Sequence, residues 1–238
     1  MSPVSTSRIV HLALKVADLE QATRFYEQVF GFRQTGTGHA RGHISRHITD
    51  GAFDLALMVY DSEDVPEAQL SGAGPCIHHC GIQVKDRGAM IAHITAHGGE
   101  IISDPAEGAL KFRAPHGTIA EIVRAGRYRK AEINGARISG LSIAADDIAA
   151  AADFYKSVFG FHETANGPDA RELSDGAFRL TVLRSKNGPA RHHHWTIAVN
   201  DPAAYAKAVE QHGGVRADHH GTPLYLTPDG SLLRLVSA

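Results

Sequence analysis

Asp18-Leu19-Glu20-Gln21-Ala22-Thr23-Arg24-Phe25-Tyr26-Glu27-Gln28-Val29-Phe30-Gly31-Phe32 returns, 129 positions later, as Asp147 through Phe161. Both copies hold Phe-Tyr-x-x-Val-Phe-Gly-Phe, and Asp50-Gly51-Ala52-Phe53 likewise returns as Asp175-Gly176-Ala177-Phe178. A second pair of stretches also repeats. His79 to Asp86 matches His194 to Asp201 and His97-Gly98-Gly99 matches His212-Gly213-Gly214, both 115 apart, while Pro115-x-Gly117 matches Pro228-x-Gly230 at 113. Self-similarity at fixed spacing marks a repeat architecture. The chain therefore reads as four related units in the order A, B, A′, B′, with a connector at residues 125–136 between two halves.

Each unit carries the same local signals. Leu19, Ala22, Phe25, Tyr26, Val29 and Phe30 fall three and four residues apart, the spacing of one apolar face on a helix. Asp18 with Gln21 suits an N-terminal cap, and Gly31 suits the left-handed residue after the helix end. The segment before the helix alternates, with Leu12, Leu14 and Val16 on one face and His11, Ala13 and Lys15 on the other. After it, His43 to Thr49 and Phe53 to Tyr60 read as strands separated by the hairpin signal Asp50-Gly51. The inferred unit is strand, helix, then three strands.

At 238 residues the chain can bury a substantial core. Apolar residues at 43%, charged residues at 21% and a net charge of -2 are those of an ordinary globular protein, with no electrostatic case for nucleic acid or an anionic membrane. The basic stretch Arg124 to Arg137 reads as a solvated connector. No run has the length of a membrane span, and the first seven residues lack the regions of a signal peptide. With only Cys76 and Cys80 present, the thiols are expected buried and reduced, in a cytoplasmic setting. Cys76-Ile77-His78-His79-Cys80 is not read as a zinc knot, because on a strand His79 faces away from Cys76, His78 and Cys80.

Two imidazoles and one carboxylate sit on three strand-like segments. His11 opens the first, His79 the second, and Glu121 lies in the middle of Thr118-Ile119-Ala120-Glu121-Ile122-Val123. Such a set holds a divalent cation and leaves positions open for substrate. The second half serves as an internal control: Gly140 stands where His11 would fall, His194 matches His79, and Arg234 matches Glu121. An imidazole beside a guanidinium cannot hold a divalent ion, so the second half is expected to be metal-free. His192, His193, His219 and His220 read as surface or loop residues.

The repeated unit, the Phe-Tyr-x-x-Val-Phe-Gly-Phe helix and the strand-opening histidines resemble the vicinal oxygen chelate superfamily, which includes glyoxalases, extradiol dioxygenases, epimerases and fosfomycin- and bleomycin-resistance proteins. The resemblance runs from about Arg8 to Val236. It implies an α+β fold in which four βαβββ units pair into two cup-like mixed sheets flanked by helices, at residues 1–124 and 137–238. It also implies that His11, His79 and Glu121 are the metal ligands.

Fold alone does not select the reaction. Isomerase-like members add a fourth ligand or glutamate base near the last strand of the first unit. Leu55 to Tyr60 holds no carboxylate, and Asp54 and Asp61 lie just outside it. Enediolate chemistry needs a positioned base, so the expectation is an extradiol-dioxygenase-like oxidoreductase using iron(II) on a small substrate with neighbouring oxygens. The stretch from Lys111 to Glu121 fits the frame of the extradiol signature, with lysine in place of tyrosine. His47 and Lys111 are the candidates for proton transfer or anion binding, and Lys15 and Gln83 for the mouth. The alternatives are a glyoxalase- or epimerase-like lyase or isomerase using Mn2+, Ni2+, Co2+ or Zn2+, and a metal-free binding protein of the bleomycin-resistance kind. The chain is expected to act as a monomer or homodimer.

Overall fold

The computed structural model describes residues 7–104, 110–128, 135–185, 191–219 and 221–238. Strand, helix and three strands follow one another four times. The first half runs β1 (Arg8–Lys15), α1 (Leu19–Phe30), β2 (Arg33–Ala40), β3 (His43–Thr49), β4 (Asp54–Tyr60), β5 (Cys76–Val84), α2 (Arg87–Ala96), β6 (Glu100–Ile101), β7 (Leu110–Arg113) and β8 (Ile119–Arg124). The second runs β9 (Arg137–Ala145), α3 (Ile148–Phe159), β10 (His162–Asn166), β11 (Ala170–Ser174), β12 (Arg179–Arg184), β13 (Arg191–Val199), α4 (Pro202–Gln211), β14 (Val215–His219), β15 (Thr222–Leu226) and β16 (Leu232–Ser237).

The strands form two mixed eight-stranded sheets, ordered β2-β3-β4-β1-β5-β8-β7-β6 and β10-β11-β12-β9-β13-β16-β15-β14. In each, the first strand of a unit runs parallel to the last strand of that unit, because the helix between them returns the chain. The fold is α+β, as expected. Among the described residues no helix is long and apolar enough to cross a membrane.

The helix ends obey the sequence signals. Asp18 accepts from the Gln21 amide, Asp147 accepts from Ala149 and Ala150, and Gly31 and Gly160 take left-handed φ values of 70° and 72°. An L side chain at either glycine would carry the steric cost of that region.

By packing, the chain falls into two compact units, each drawing on both sequence halves. One consists of Met1–Val10, His79–Arg127 and Gly140–His193, the other of His11–His78, Tyr128–Ser139 and His194–Ala238. In the latter, Phe30 stacks on Tyr205 at 5.7 Å between ring centres, and Tyr26 meets Trp195 at 5.5 Å. Each fully buried ring contributes roughly 2 kcal/mol. The Tyr26 hydroxyl donates to Asp229, and burial, with that carboxylate beside it, pushes the phenol well above its ordinary pKa. In the former unit, Phe112 packs on Phe159 at 5.8 Å, and the hydroxyls of Tyr155 and Thr118 share a hydrogen bond of 3.2 Å. His116 Nε2 lies 2.8 Å from the same Thr118 hydroxyl, and burial pushes this imidazole down to a pKa of about 4.

The Asp-Gly-Ala-Phe repeat has a structural purpose. Asp50 Oδ1 accepts from the amides of Ala52 and Phe53 at 2.8 and 2.7 Å, while Oδ2 accepts from Ile138 at 2.6 Å. Asp175 repeats this on Ala177 and Phe178, with Oδ2 accepting from Ile9 at 2.7 Å. Each turn thus holds the opening strand of the other sequence half.

Candidate metal centre

The register of β1 on β4 sets the first part of the site. His11 stands beside Asp54, Ala13 beside Ala56, and Lys15 beside Met58. The antiparallel β3 adds His47 beside Ala56 and Thr49 beside Asp54. Side chains of in-register partners share a face, so His11, Asp54 and His47 project to the same side. Asp54 Oδ2 accepts from two imidazoles, His11 Nδ1 at 2.6 Å and His47 Nδ1 at 2.9 Å. Burial alone would push the Asp54 carboxyl up. The hydrogen bonds from His11 and His47 outweigh it and hold the group below its ordinary range.

On β5, β7 and β8 the register places Gly81 and Lys111 on either side of Glu121. His79 Nε2 lies 3.3 Å from Glu121 Oε2. One ligand atom from each of His11, His79 and Glu121 falls within 4.8 Å of the others. His79 and Glu121 are therefore brought together, both in the unit that holds His79–Arg127. His11, His47 and Asp54 form a second such group, but its members are joined by short imidazole-to-carboxylate hydrogen bonds, the arrangement of a set that orients a ligand.

The three residues fit a divalent cation on two counts. Glu121 is only 4% exposed, and its Oε1 is buried with no hydrogen-bond partner. A buried carboxylate oxygen without a hydrogen-bond partner is costly, and a bound cation would supply that partner. Two ligands bonded to one ion at about 2.1 Å stand roughly 3.0–3.4 Å apart, a range that includes the His79–Glu121 separation. Neutral imidazole nitrogens with a carboxylate oxygen suit Fe2+, Mn2+, Co2+, Ni2+ and Zn2+ alike.

Of the other sequence candidates, His47 stands in the site with its side chain 30% exposed, while Lys111 is buried directly across from Glu121. Lys15 departs from expectation. Its ammonium donates to Glu63 Oε2, Ala68 O and Gly72 O at 3.0, 3.1 and 2.6 Å, so it anchors the loop after β4 instead of lining a mouth. Both cysteines are free, Cys80 buried and Cys76 half-buried. His192 and His193 are half-buried members of β13, His194 is buried, His219 belongs to β14, and His220 lies outside the described residues.

Two residues of the site escaped the sequence reading. Asp54 immediately precedes the apolar run Leu55 to Tyr60, which in the sequence sets it outside the strand that it in fact opens. Its phase, two residues before Ala56, was the available signal, as was Arg179 at the matching place in the second half. Tyr128 belongs to the supposed solvated connector, yet its ring stacks on His11 at 4.6 Å and 17° and lies 6.0 Å from His47. Arg137, at the end of the same stretch, donates to the Asp50 carbonyl. Residues 129–134 of the connector lie outside the described residues.

The anthracycline biosynthesis protein DnrV of Streptomyces peucetius is 25% identical over 228 residues, covering 87% of this chain and 82% of that protein. The Mn(II)-bound glyoxalase from Novosphingobium aromaticivorans superimposes with a TM-score of 0.72 at 19% identity, over 100% of this chain and 83% of the other. The 2,3-dioxygenase LapB from Pseudomonas sp. KL28 does so at 0.71 and 15% identity, over 100% and 94%. Both structural likenesses concern the fold. The sequence pattern of the glyoxalase/bleomycin resistance protein/dioxygenase superfamily matches residues 8–120, and that of a glyoxalase-like domain matches residues 140–236. Matched in both halves and folded as that family folds, the chain belongs to the glyoxalase/bleomycin resistance protein/dioxygenase superfamily.

Proposed function

We propose that this protein is a metal-dependent oxidoreductase of extradiol-dioxygenase-like type, acting on a small substrate that chelates the ion through neighbouring oxygens. The reading keeps residues 1–124 as the metal-bearing domain, 125–136 as the linker and 137–238 as a domain without a metal. The observation that carries it is the buried, unpartnered Oε1 of Glu121 in a set with His11 and His79. His11, His79 and Glu121 would hold iron(II), which would supply Lewis-acid and oxygen-dependent redox chemistry to a chelating substrate.

The protein's own groups supply the rest. His47, partly open to solvent, is the proposed acceptor for a proton from a substrate hydroxyl. Lys111, buried across from Glu121, is the proposed partner of a substrate oxyanion. Ala13, Ala56 and Met58 pack as an apolar cluster with Tyr60 against it, and we assign it to excluding water from β1 and β4 next to His11 and Asp54.

A second reading has one observation in its favour. Asp54 places a carboxylate beside His11 at the start of β4, near where glyoxalase- or epimerase-like lyases and isomerases need a base, with Mn2+, Ni2+, Co2+ or Zn2+ as the ion. One of its two oxygens, Oδ2, already accepts from two imidazoles, which is why the oxidative reading ranks first. The deciding experiment is anaerobic reconstitution with iron(II), then an oxygen-electrode screen of catechols, hydroquinones and 2-oxo acids. Iron-dependent oxygen uptake abolished by Glu121→Ala supports the proposal, whereas turnover unchanged without oxygen replaces it with the second reading. Protein purified without chelators and found free of metal would instead support a bleomycin-resistance-like binding protein.

A further inference from the structure

We infer that the outer edge of β14 is the surface on which a second copy of this chain pairs, antiparallel, about a two-fold axis at Ala217. Among the described residues β14 ends the second sheet, and the other sheet edges are β10, β2 and β6. β2 and β10 shift register against their neighbours, between Gln34 and Gly36 and between Glu163 and Ala165. Such irregularities bend an edge away from further pairing. β6 has only two residues. β14 instead runs opposite β15 in unbroken register, from Val215 on Leu226 to His219 on Thr222. An antiparallel strand turns the N–H and C=O of alternate residues outward, and on β14 that row is continuous. Val215 and Leu226, 61% and 42% exposed, stand side by side at its start.

Charge selects a second copy as the occupant. β14 reads Val215-Arg216-Ala217-Asp218-His219. Laid antiparallel on itself about Ala217, it sets Arg216 opposite Asp218 of the other copy, and a two-fold contact repeats that pair. Opposite charges directly across two strands are favourable, and like charges are not. Arg216 and Asp218 are both exposed, and Arg216 Nε donates to Asp218 Oδ1 at 3.1 Å within the strand. A second copy therefore extends an existing pair into a ladder of four alternating charges. In the same register Val215 falls opposite His219 of the other copy, which covers the exposed apolar end of the edge. Five residues span about 17 Å. A contact that short lies at the low end of specific interfaces, so the pairing depends on concentration.

Sedimentation velocity of the full chain, from roughly 1 µM to 1 mM, reads the association. The wild type should pass from the monomer mass towards twice that value, and hydrogen exchange at the high end should slow at outward-facing amides of β14. Arg216→Asp opposes two carboxylates in the self-paired strand, and Asp218→Arg opposes two guanidinium groups. Each should weaken self-association about tenfold or more. Mixed one to one, the two variants regain both opposite-charge pairs and should associate as the wild type does. The doubly exchanged chain, Arg216→Asp with Asp218→Arg, should do the same. Loss of fold cannot produce either recovery. A wild type that holds the monomer mass throughout overturns the inference and leaves the edge to a strand of another protein. A dimer indifferent to both single variants, or a mixture that associates no better than either variant alone, overturns it as well.

Discussion

The two sheets are built on one register and differ in what that register carries. In the first, β1 beside β4 sets His11 against Asp54; in the second, β9 beside β12 sets Gly140 against Arg179. Glu121 on β8 has Arg234 as its counterpart on β16, whereas His79 is matched by another histidine, His194. Capping aspartates, left-handed glycines and Asp-Gly-Ala-Phe turns recur in both halves. Structure has been retained where the backbone demands it. Where the first half has Glu121 and Asp54, the second has the guanidinium groups of Arg234 and Arg179, which repel a cation and accept no hydrogen bond. Fold and chemistry here are carried by separate residues.

Copying the second half into the first is the sharpest way to break this contrast. Glu121→Arg should weaken divalent metal binding by at least roughly 1,000-fold, about 4 kcal/mol, read by elemental analysis after dialysis and by chelator competition. Metal retained at full stoichiometry would mean that the matched positions are not what separates the halves. Next in size are the shared turns. Asp50→Ala and Asp175→Ala each remove an acceptor from three amides, which should cost about 2–4 kcal/mol in urea unfolding. Losses equal within about 1 kcal/mol would confirm that the two turns are equivalent, and a silent variant would separate them.

A subtler asymmetry lies in the Pro-x-Gly turns, where His116 occupies the place that Asp229 holds in the other half. The folded protein keeps His116 neutral down to about pH 4, whereas an unfolded histidine protonates near 6.5. Between those values the unfolded state binds more protons, so stability falls as pH drops through this window, by up to about 3 kcal/mol. His116→Gln should flatten that slope in melts taken from pH 7 to 4. The smallest effect expected is that of Tyr128→Ala. Losing the ring stacked on His11 should lower metal affinity by a few fold, about 1 kcal/mol, with urea stability unchanged.

The order of elements was legible because repetition and periodicity speak for the same faces. Phe25, Tyr26, Val29 and Phe30 announce a buried helical stripe, and all four are buried. His11, His79 and Glu121 are named as ligands by the family resemblance, and strand alternation adds which side each faces. What stayed hidden depends on register and on loop paths. Nothing in the spacing of 43 residues between His11 and Asp54 says that these two stand side by side. Tyr128 was hidden for a different reason. It sits among basic residues whose composition describes a solvated segment, while one aromatic ring inside that segment returns to the site. Lys15 shares the ligand-bearing face by alternation, yet its long stem reaches a loop whose path alternation cannot describe.

The exchanged turns tie the amino-terminal and carboxy-terminal halves to one another through their opening strands. Asp50 secures Ile138, and Asp175 secures Ile9, so severing the covalent bridge would leave both fragments gripping one another. A protease nick inside residues 129–134 should consequently yield two bands on a denaturing gel and a single species on a native column.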